Sequence, residues 1–255
     1  FDVPGNSDNL KTGITLRFRA SIPPTRSDVT TGTTEDGYEN ENSINKVDIF
    51  FYDGENLVWH PTNIILTENN SKAQIVVDKT HEPKFQGNVN YSIYVVINFP
   101  GDLSAENSTS LSNLKKKVLT ATFNTSAPIV DFVMTGAIVN KNINLSNTPL
   151  YDAGTIDLKR VAAKVRAQFP IIPSQIEEYV PGGTKKYELN ATVEQPVMVR
   201  LVNYHDKSYL DEPRNYYAQS GAQAKVSQFR AMTRTSTPDG YTTLVPFFYS
   251  YENEW

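Results

Sequence analysis

The stretch Ile14-Thr-Leu-Arg-Phe-Arg-Ala-Ser-Ile22, followed directly by Pro23-Pro24-Thr25-Arg26, decides how this chain folds. Side chains of a β-strand alternate between two faces, so every second residue shares a face. One face carries only apolar residues, namely Ile14, Leu16, Phe18, Ala20 and Ile22. The other face carries hydroxyls and arginines. The pattern predicts a half-buried strand, which the two prolines end because they donate no N–H to a ladder.

The composition of the 255-residue chain favours strands throughout. Tyr (14) and Phe (12) are frequent, and Pro (15) and Gly (13) separate the apolar runs. We therefore predict an all-β protein. The length allows two domains that each bury a core. The turn-rich segment 146–154 places their boundary near 150, which gives domains 1–150 and 151–255. We expect the second domain to be incomplete at its C-terminal end, because a sandwich of this size normally continues past a strand such as 242–251.

Apolar alternation predicts further strands and little helix. The predicted strands are 44–52, 56–60, 63–67, 73–78, 91–99, 164–171, 187–192, 197–203 and 242–251. The run 91–99 is apolar on both faces, which predicts a central strand buried on both sides. A short helix is expected at 110–118 and a helical turn around 159–163. Gly136 is expected to form a bulge or turn between two strands.

Several classes of chemistry have no support in the sequence. There is no cysteine, which excludes disulfides and thiolate chemistry, and no apolar run is long enough for a membrane-spanning helix. The net charge of −4 argues against nucleic-acid binding. His60, His81 and His205 are too far apart to form a metal or triad spacing. We predict a protein without enzymatic activity, metal or cofactor.

The segment after the first strand has the composition of an exposed loop. Residues 27–43 are rich in acidic and hydroxyl side chains and contain no lysine or arginine. Exposed polar loops are preferred sites of proteolytic nicking. A nine-residue strand spans roughly 30 Å, and its large apolar side chains contribute on the order of 6–12 kcal/mol when buried. Removing such a strand would leave a groove that a strand from a partner can fill.

An ordered set of motifs resembles the fimbrillin-type pilins of the Bacteroidales, the subunits and accessory proteins of type V pili. The set comprises the first strand with Thr25-Arg26, Glu41-x-x-Ile44 leading into VDIFFYD, YVVINFPG before a short helix, Phe132-Val-Met-Thr-Gly136, Leu158-Lys-Arg-Val-Ala-Ala-Lys-Val165 and Phe247-Phe-Tyr-Ser-Tyr-Glu-Asn253. In order and spacing these motifs cover most of the chain.

The resemblance implies two tandem transthyretin-like, Greek-key β-sandwiches in an exported outer-membrane lipoprotein of the fimbrium. It implies that an arginine-specific protease cuts after Arg26 and releases strand 14–22, so that a strand from another pilus subunit fills the groove under Ile14, Leu16, Phe18, Ala20 and Ile22. The N-terminal sequence lacks a signal-peptide pattern, so any export signal is expected to have been removed. The function predicted is that of a fimbrial subunit assembled by strand exchange and contributing to adhesion.

Two alternatives stay open from the sequence. The first strand can be an ordinary strand that is never released. The chain can also be a non-polymerising surface lipoprotein that binds host or bacterial glycans or proteins. An aromatic platform for sugar would then consist of Tyr204, Tyr209, Tyr216 and Tyr217.

Overall fold

The fold is described from a computed structural model of the chain. The structure describes residues 13–20, 43–77, 85–103, 108–121, 123, 131–145, 150–165, 168–173, 175–188, 198–211, 216, 220–221, 223–231, 233–237, 240–244 and 248–251. The predictions for Ile22, Arg26, His81 and Tyr217 lie outside these residues.

Strands dominate the described part of the chain, which confirms the all-β prediction. The strands up to residue 160 are β1 Gly13–Ala20, β2 Val47–Asp53, β3 Asn56–Trp59, β4 Ile64–Thr67, β5 Lys72–Val76, β6 Asn90–Ile97, β7 Val118–Thr120, β8 Met134–Asn142 and β9 Leu150–Arg160. The later strands are β10 Ala162–Val165, β11 Gln168–Pro173, β12 Gln175–Val180, β13 Gly183–Glu188, β14 Met198–Val199, β15 Val202–Tyr204, β16 Lys207–Tyr209, β17 Lys225–Val226, β18 Arg230–Ala231, β19 Thr233–Thr237, β20 Gly240–Leu244 and β21 Phe248–Tyr251.

The predicted short helix is present as α1, Leu111–Lys115. It begins at Ser110, whose hydroxyl oxygen accepts a hydrogen bond from the backbone N–H of Asn113 at 3.1 Å. A serine in this position satisfies one of the free N–H groups of the first turn. Leu114 is the buried residue of the helix.

The chain divides into two compact units. Unit 1 comprises Phe1–Leu119, Pro128–Val161 and Tyr209–Pro213, and unit 2 comprises Thr120–Ala127, Ala162–Ser208 and Arg214–Trp255. The predicted boundary near 150 differs from this division, because β9 pairs with β1 and thereby continues unit 1 to residue 161.

Unit 1 contains one hydrogen-bonded series of eight strands in the order β3-β2-β6-β8-β9-β1-β5-β4. Residues 150–158 of β9 pair with β1, and its last two residues, Lys159 and Arg160, pair with β8, so β9 connects the two halves of the series. The central strand β6 lies between β2 and β8, and Ile93, Tyr94, Val95, Val96 and Ile97 are all buried. The prediction of a central strand buried on both faces is confirmed. The tandem Greek-key arrangement stays a prediction.

Two local predictions for unit 1 were wrong. The expected helical turn around 159–163 is strand up to Arg160, because buried Ile156 and Leu158 alternate with exposed Asp157 and Lys159. This period-2 pattern suits a strand that is half buried. The expected bulge or turn at Gly136 is instead the interior of the single strand β8, where the glycine is opposite Val95 of β6.

Unit 2 consists of shorter strand pairs. Strand β10 pairs with β21, β20 lies between β11 and β19, β12 pairs with β13, β14 with β18, and β15 with β17. Its described aromatic core includes Phe123, whose ring centroid lies 4.8 Å from that of Tyr251 and 6.3 Å from that of Tyr249. The guanidinium of Arg230 lies 4.9 Å from the centroid of Phe248.

Candidate partner-binding site

The first strand occupies an interior position in the series of unit 1. Strand β1 is antiparallel to β5 on one side, with Ile14 opposite Ile75 and Leu16 opposite Ala73. On its other side it runs parallel to β9, with Phe18 opposite Ile156. A ladder on each side means that β1 fills a slot whose walls are β5 and β9.

The apolar face of β1 is buried in this slot. Ile14 and Leu16 are fully buried, and Phe18 is 6% exposed. Side chains opposite each other on paired strands share a face, so these residues lie beside the buried residues of both walls. Those wall residues are Ala73, Ile75, Ile156 and Leu158. Burying the three large side chains of β1 contributes about 5–9 kcal/mol, which is comparable with the net stability of a whole domain.

The polar face of β1 forms two ion pairs with β9. Arg17 Nη1 donates to Asp152 Oδ2 at 3.0 Å. Arg19 donates from Nε to Asp157 Oδ1 at 2.6 Å and from Nη2 to Asp157 Oδ2 at 3.0 Å. The second pair is bidentate, the geometry that best matches a guanidinium to a carboxylate. The ion pairs therefore mark a specific alignment of β1 along β9.

A bulge in β9 lies beside the first of these pairs. Thr15 is opposite Asp152, whereas Leu16 is opposite Gly154, so Ala153 is the extra residue of β9. Gly154 has a φ of +104°, a conformation that L side chains rarely adopt. Its N–H donates to Asp152 Oδ1 at 2.9 Å. Asp152 thus holds the bulge with one oxygen and Arg17 with the other.

These contacts shift the protonation equilibria of the slot. The N–H of Gly154, and after it Arg17, lower the pKa of Asp152. The hydrogen bonds and charge of Arg19 lower the pKa of Asp157, and the same carboxylate raises the pKa of Arg19. A lowered carboxyl pKa means that the folded state favours the ionised form. The resulting stabilisation is present above the ordinary aspartate pKa of 3.8 and is lost as the pH falls through the lowered value.

We therefore expect acid to weaken the attachment of β1. Wild-type protein should lose more stability between pH 6 and pH 3 than a variant with Asp152→Asn and Asp157→Asn, because the variant has no carboxylate to protonate at these positions. Asparagine keeps an oxygen that can accept from Gly154. Urea midpoints of both proteins at each pH measure the effect, which is modest because the pairs are exposed. Equal losses in the two proteins would contradict it.

After the first strand, the structure describes the chain again from Ser43 onward. Hydrogen bonds with two asparagine side chains hold the backbone there. Asn98 Oδ1 accepts from the N–H groups of Asn45 and Lys46 at 2.9 and 3.1 Å, and its Nδ2 donates to Ser43 O at 2.7 Å. Asn70 Nδ2 donates to Ile44 O at 2.7 Å. The residues that follow the acidic segment are thus held by contacts that do not involve β1.

The structure brings together only part of the predicted site. Ile14, Leu16 and Phe18 lie in one buried row, and Ala20 is half-buried at the end of β1. Of the predicted aromatic platform, Tyr204 is buried, and Tyr209 and Tyr216 are half-buried. Tyr204 and Tyr216 fall in unit 2 and Tyr209 in unit 1.

Sequence reasoning missed Asp152 and Asp157 as partners of the first strand. They are 135 and 138 residues away from Arg17 and Arg19 in sequence. The two arginines on the polar face were the available signal, since they require counter-ions or solvent, but nothing local identifies which carboxylates supply them.

No metal-ligating group of three or more His, Cys, Asp or Glu side chains occurs within the described ranges. His60 Nε2 lies 3.5 Å from Asp48 Oδ1, and its ring stacks on Phe50 at 4.2 Å between centroids. His205 is 5% exposed. Among the helices in the part of the chain that the structure describes, none has the length and apolar character to cross a membrane.

The fold and the slot together define an all-β protein that holds an amphipathic first strand between two other strands. The chain belongs to the family described as major fimbrial subunit protein (FimA), whose family model matches residues 14–193. The match begins within β1 and therefore includes both walls of the slot. The resemblance to the Bacteroidales fimbrillins is thereby confirmed.

A curated relative is the major fimbrium tip subunit FimD of Porphyromonas gingivalis strain ATCC 33277. It is 27% identical over 219 residues, which cover 84% of this chain. The matched region is 29% of the length of that protein, so this chain spans less than a third of its relative.

Two crystal structures have a similar chain course. One is a candidate cell adhesion protein of Bacteroides eggerthii, with 15% identity, a TM-score of 0.47 and coverage of 95% of this chain and 70% of that chain. The other is a fimbrilin (FimA) of Porphyromonas gingivalis W83, with 12% identity, a TM-score of 0.43 and coverage of 80% of this chain and 53% of that one.

Proposed function

We propose that this protein is a cell-surface fimbrial subunit that assembles with other pilus subunits by strand exchange and contributes to adhesion. The observation that carries the proposal is the interior position of β1, with Ile14, Leu16 and Phe18 buried between β5 and β9. Membership of the fimbrial subunit family supports the cell-surface role. Export, lipid anchoring and location at the outer membrane belong to the same proposal.

The trigger in this proposal is proteolysis after Arg26. The order of features along the chain supports it: a strand in a slot, two prolines, an arginine, an acidic segment without Lys or Arg, and then Ser43, which Asn98 holds independently of β1. A cut after Arg26 would leave β1 attached only through its slot. The loss of β1 would expose the apolar walls, and a strand of another subunit would cover them again.

Limited digestion of the full chain with an arginine-specific protease tests this function. We expect one dominant cut, a new N-terminus at Ser27, and high-mass oligomers on size-exclusion chromatography after the cut. Arg17 and Arg19 should resist, because the backbone of Arg17 is paired with both β5 and β9 and that of Arg19 is paired with β9. An Arg26→Lys variant keeps the charge and removes the protease site, so it should remain uncut and monomeric.

Three results separate the parts of the proposal. Resistance of the Arg26 bond in folded protein would contradict proteolytic triggering. A clean cut without oligomers would contradict self-assembly by strand exchange, although a subunit at the end of a fimbrium would also behave in this way. Oligomers that form equally in the Arg26→Lys variant would show that assembly is independent of the cut.

A non-polymerising glycan-binding protein stays the second prediction from the sequence. Of the four tyrosines on which it depends, Tyr204 is buried and so contributes to the core of unit 2.

A further inference from the structure

The walls of the slot differ in charge along the polar face of β1, and this difference bears on which strand can replace β1. The inference rests on the proposed strand exchange and names the chemistry of the incoming segment. Backbone ladders on β5 and β9 would hold any extended peptide, because every residue except proline offers the same N–H and C=O groups. Specificity must come from side chains.

The apolar face alone does not determine the alignment of an incoming strand. Its wall residues Ala73, Ile75, Ile156 and Leu158 accept apolar side chains at every second position. A strand shifted by two residues presents the same face, because the side-chain period of a strand is 2. Burial is also non-directional and depends mainly on apolar area. An alternating apolar strand could therefore occupy the slot in more than one register.

The charged side chains on the polar face distinguish between these registers, because two carboxylates of β9 lie at fixed positions along the slot. Asp152 and Asp157 are the carboxylates of β9 that face β1, and their side chains are 55% and 54% exposed even with their arginine partners in place. When β1 leaves, both would lose those partners and face water. The carboxylate of Asp152 would keep the Gly154 N–H, and Lys141 contributes a favourable charge nearby.

On the other side of the slot, the residues of β5 opposite the polar face of β1 are not acidic. Lys72 is opposite Arg17, and Gln74 is opposite Thr15. Lys72 Nζ bonds to Glu68 Oε1 at 3.0 Å, so its charge is already paired within the same hairpin. A cation in the slot is therefore attracted to β9, at two fixed points along the strand.

We propose that the slot selects a basic amphipathic strand from another subunit. Such a strand has large apolar side chains at alternating positions and cationic side chains at the two positions that Arg17 and Arg19 occupy. Arginine is the preferred cation at the second position, since Arg19 binds Asp157 through two parallel hydrogen bonds that lysine cannot reproduce. The carboxylates set the register, and the apolar row supplies most of the affinity.

Strand replacement by synthetic peptides tests this. A site-specific protease sequence inserted between residues 27 and 42 of the full chain allows the connection after β1 to be cut independently of Arg26. Fluorescent peptides with the sequence of residues 13–22 are then added, and fluorescence anisotropy measures their uptake. One peptide has the native sequence, a second has Arg17→Glu and Arg19→Glu, and a third has Arg17→Lys and Arg19→Lys.

We expect the native peptide to bind about tenfold more tightly than the glutamate peptide at low salt, with the lysine peptide between them. The difference should shrink at 1 M salt, because exposed ion pairs are screened. A chain with Asp157→Lys should prefer a peptide with only Arg19→Glu over the native peptide. If that variant does not fold, the three peptides and the salt series on the wild-type chain still decide the question.

The two proposals fail differently. If no peptide is taken up, including the native sequence, strand exchange itself is wrong and the inference falls with it. If the native and glutamate peptides bind equally at low salt, strand exchange stands and charge selection is overturned. A preference for the native peptide that does not change with salt would also overturn it, since its cause would then not be the ion pairs.

Discussion

Replacing Leu16 with alanine is expected to lower the free energy of unfolding of unit 1 by about 2–5 kcal/mol. Leu16 is fully buried at the middle of β1, opposite Ala73 of β5 and Gly154 of β9. Neither neighbour is large enough to fill the space that the leucine leaves. The lost free energy of unfolding therefore has two parts: the transfer free energy of the removed isopropyl group and the cost of the cavity left behind.

Urea unfolding measures this loss if the signal comes from unit 1 alone. Trp59 is 6% exposed in unit 1 and stacks on Phe51 at 5.3 Å between centroids, so its fluorescence reports on that core. A Trp255→Phe background removes the other tryptophan. Leu150→Ala is the matched control, because it makes the same change on β9 at a side chain that is 47% exposed. It should cost less than about 1 kcal/mol, and equal losses would contradict the buried role of Leu16.

The Leu16→Ala substitution should also change the rate of the proposed strand exchange. A weaker first strand should leave its slot sooner once the chain after it is cut, because less apolar contact must be broken. The cut Leu16→Ala protein should therefore take up the native peptide faster than cut wild-type protein in the anisotropy experiment. An unchanged rate would indicate that some step other than departure of β1 limits the exchange.

Replacing Gly136 with alanine is expected to destabilise unit 1 by about 3 kcal/mol, near the upper end of the usual cost of overpacking. A Cβ at this position would lie 2.5 Å from Ile156 Cγ2 and 2.6 Å from the backbone oxygen of Asp157. A side chain can turn aside, but the backbone oxygen belongs to β9. Moving it would disturb the wall of the slot beside Phe18 and Arg19.

Gly87→Ala is the matched control for this prediction. Its added Cβ would meet only the side-chain amide of Asn144, at 3.6 and 3.8 Å, which is ordinary van der Waals contact. Its effect should stay within about 0.5–1 kcal/mol. Urea unfolding monitored by Trp59 compares the two variants. If Gly136→Ala left the free energy of unfolding unchanged, β8 and β9 could move apart at no cost, contrary to the contacts described above.

The placement of Gly136 shows where sequence reasoning reached its limit. A glycine between two apolar runs predicted a bulge or turn. In the structure β8 passes straight through Gly136, and the residue is small because β9 comes close. A close approach of strands and a turn both favour glycine, so the residue type alone does not separate them.

The helical turn expected at 159–163 failed for a related reason. Lysine, arginine and alanine favour helices as isolated residues. Tertiary burial of Ile156 and Leu158 extends the strand through Arg160, where it pairs with Met134. Long-range pairing overrode a weak local preference. By contrast, the strong alternation of β1 and the two-sided apolar pattern of β6 were both predicted from the sequence, since burial agreed with the local period.

The amino-acid sequence by itself determined the strand character of the chain and the face of β1 that is buried, because side-chain alternation is a local property of the backbone. Tertiary structure alone decided that β1 is an interior strand, that Asp152 and Asp157 form ion pairs with its arginines, and that β9 packs closely against Gly136. Each of these depends on pairing between segments far apart in sequence. The side-chain period of a segment does not encode which other segment it pairs with. The two carboxylates of β9 beside β1 could therefore be identified only in the folded chain.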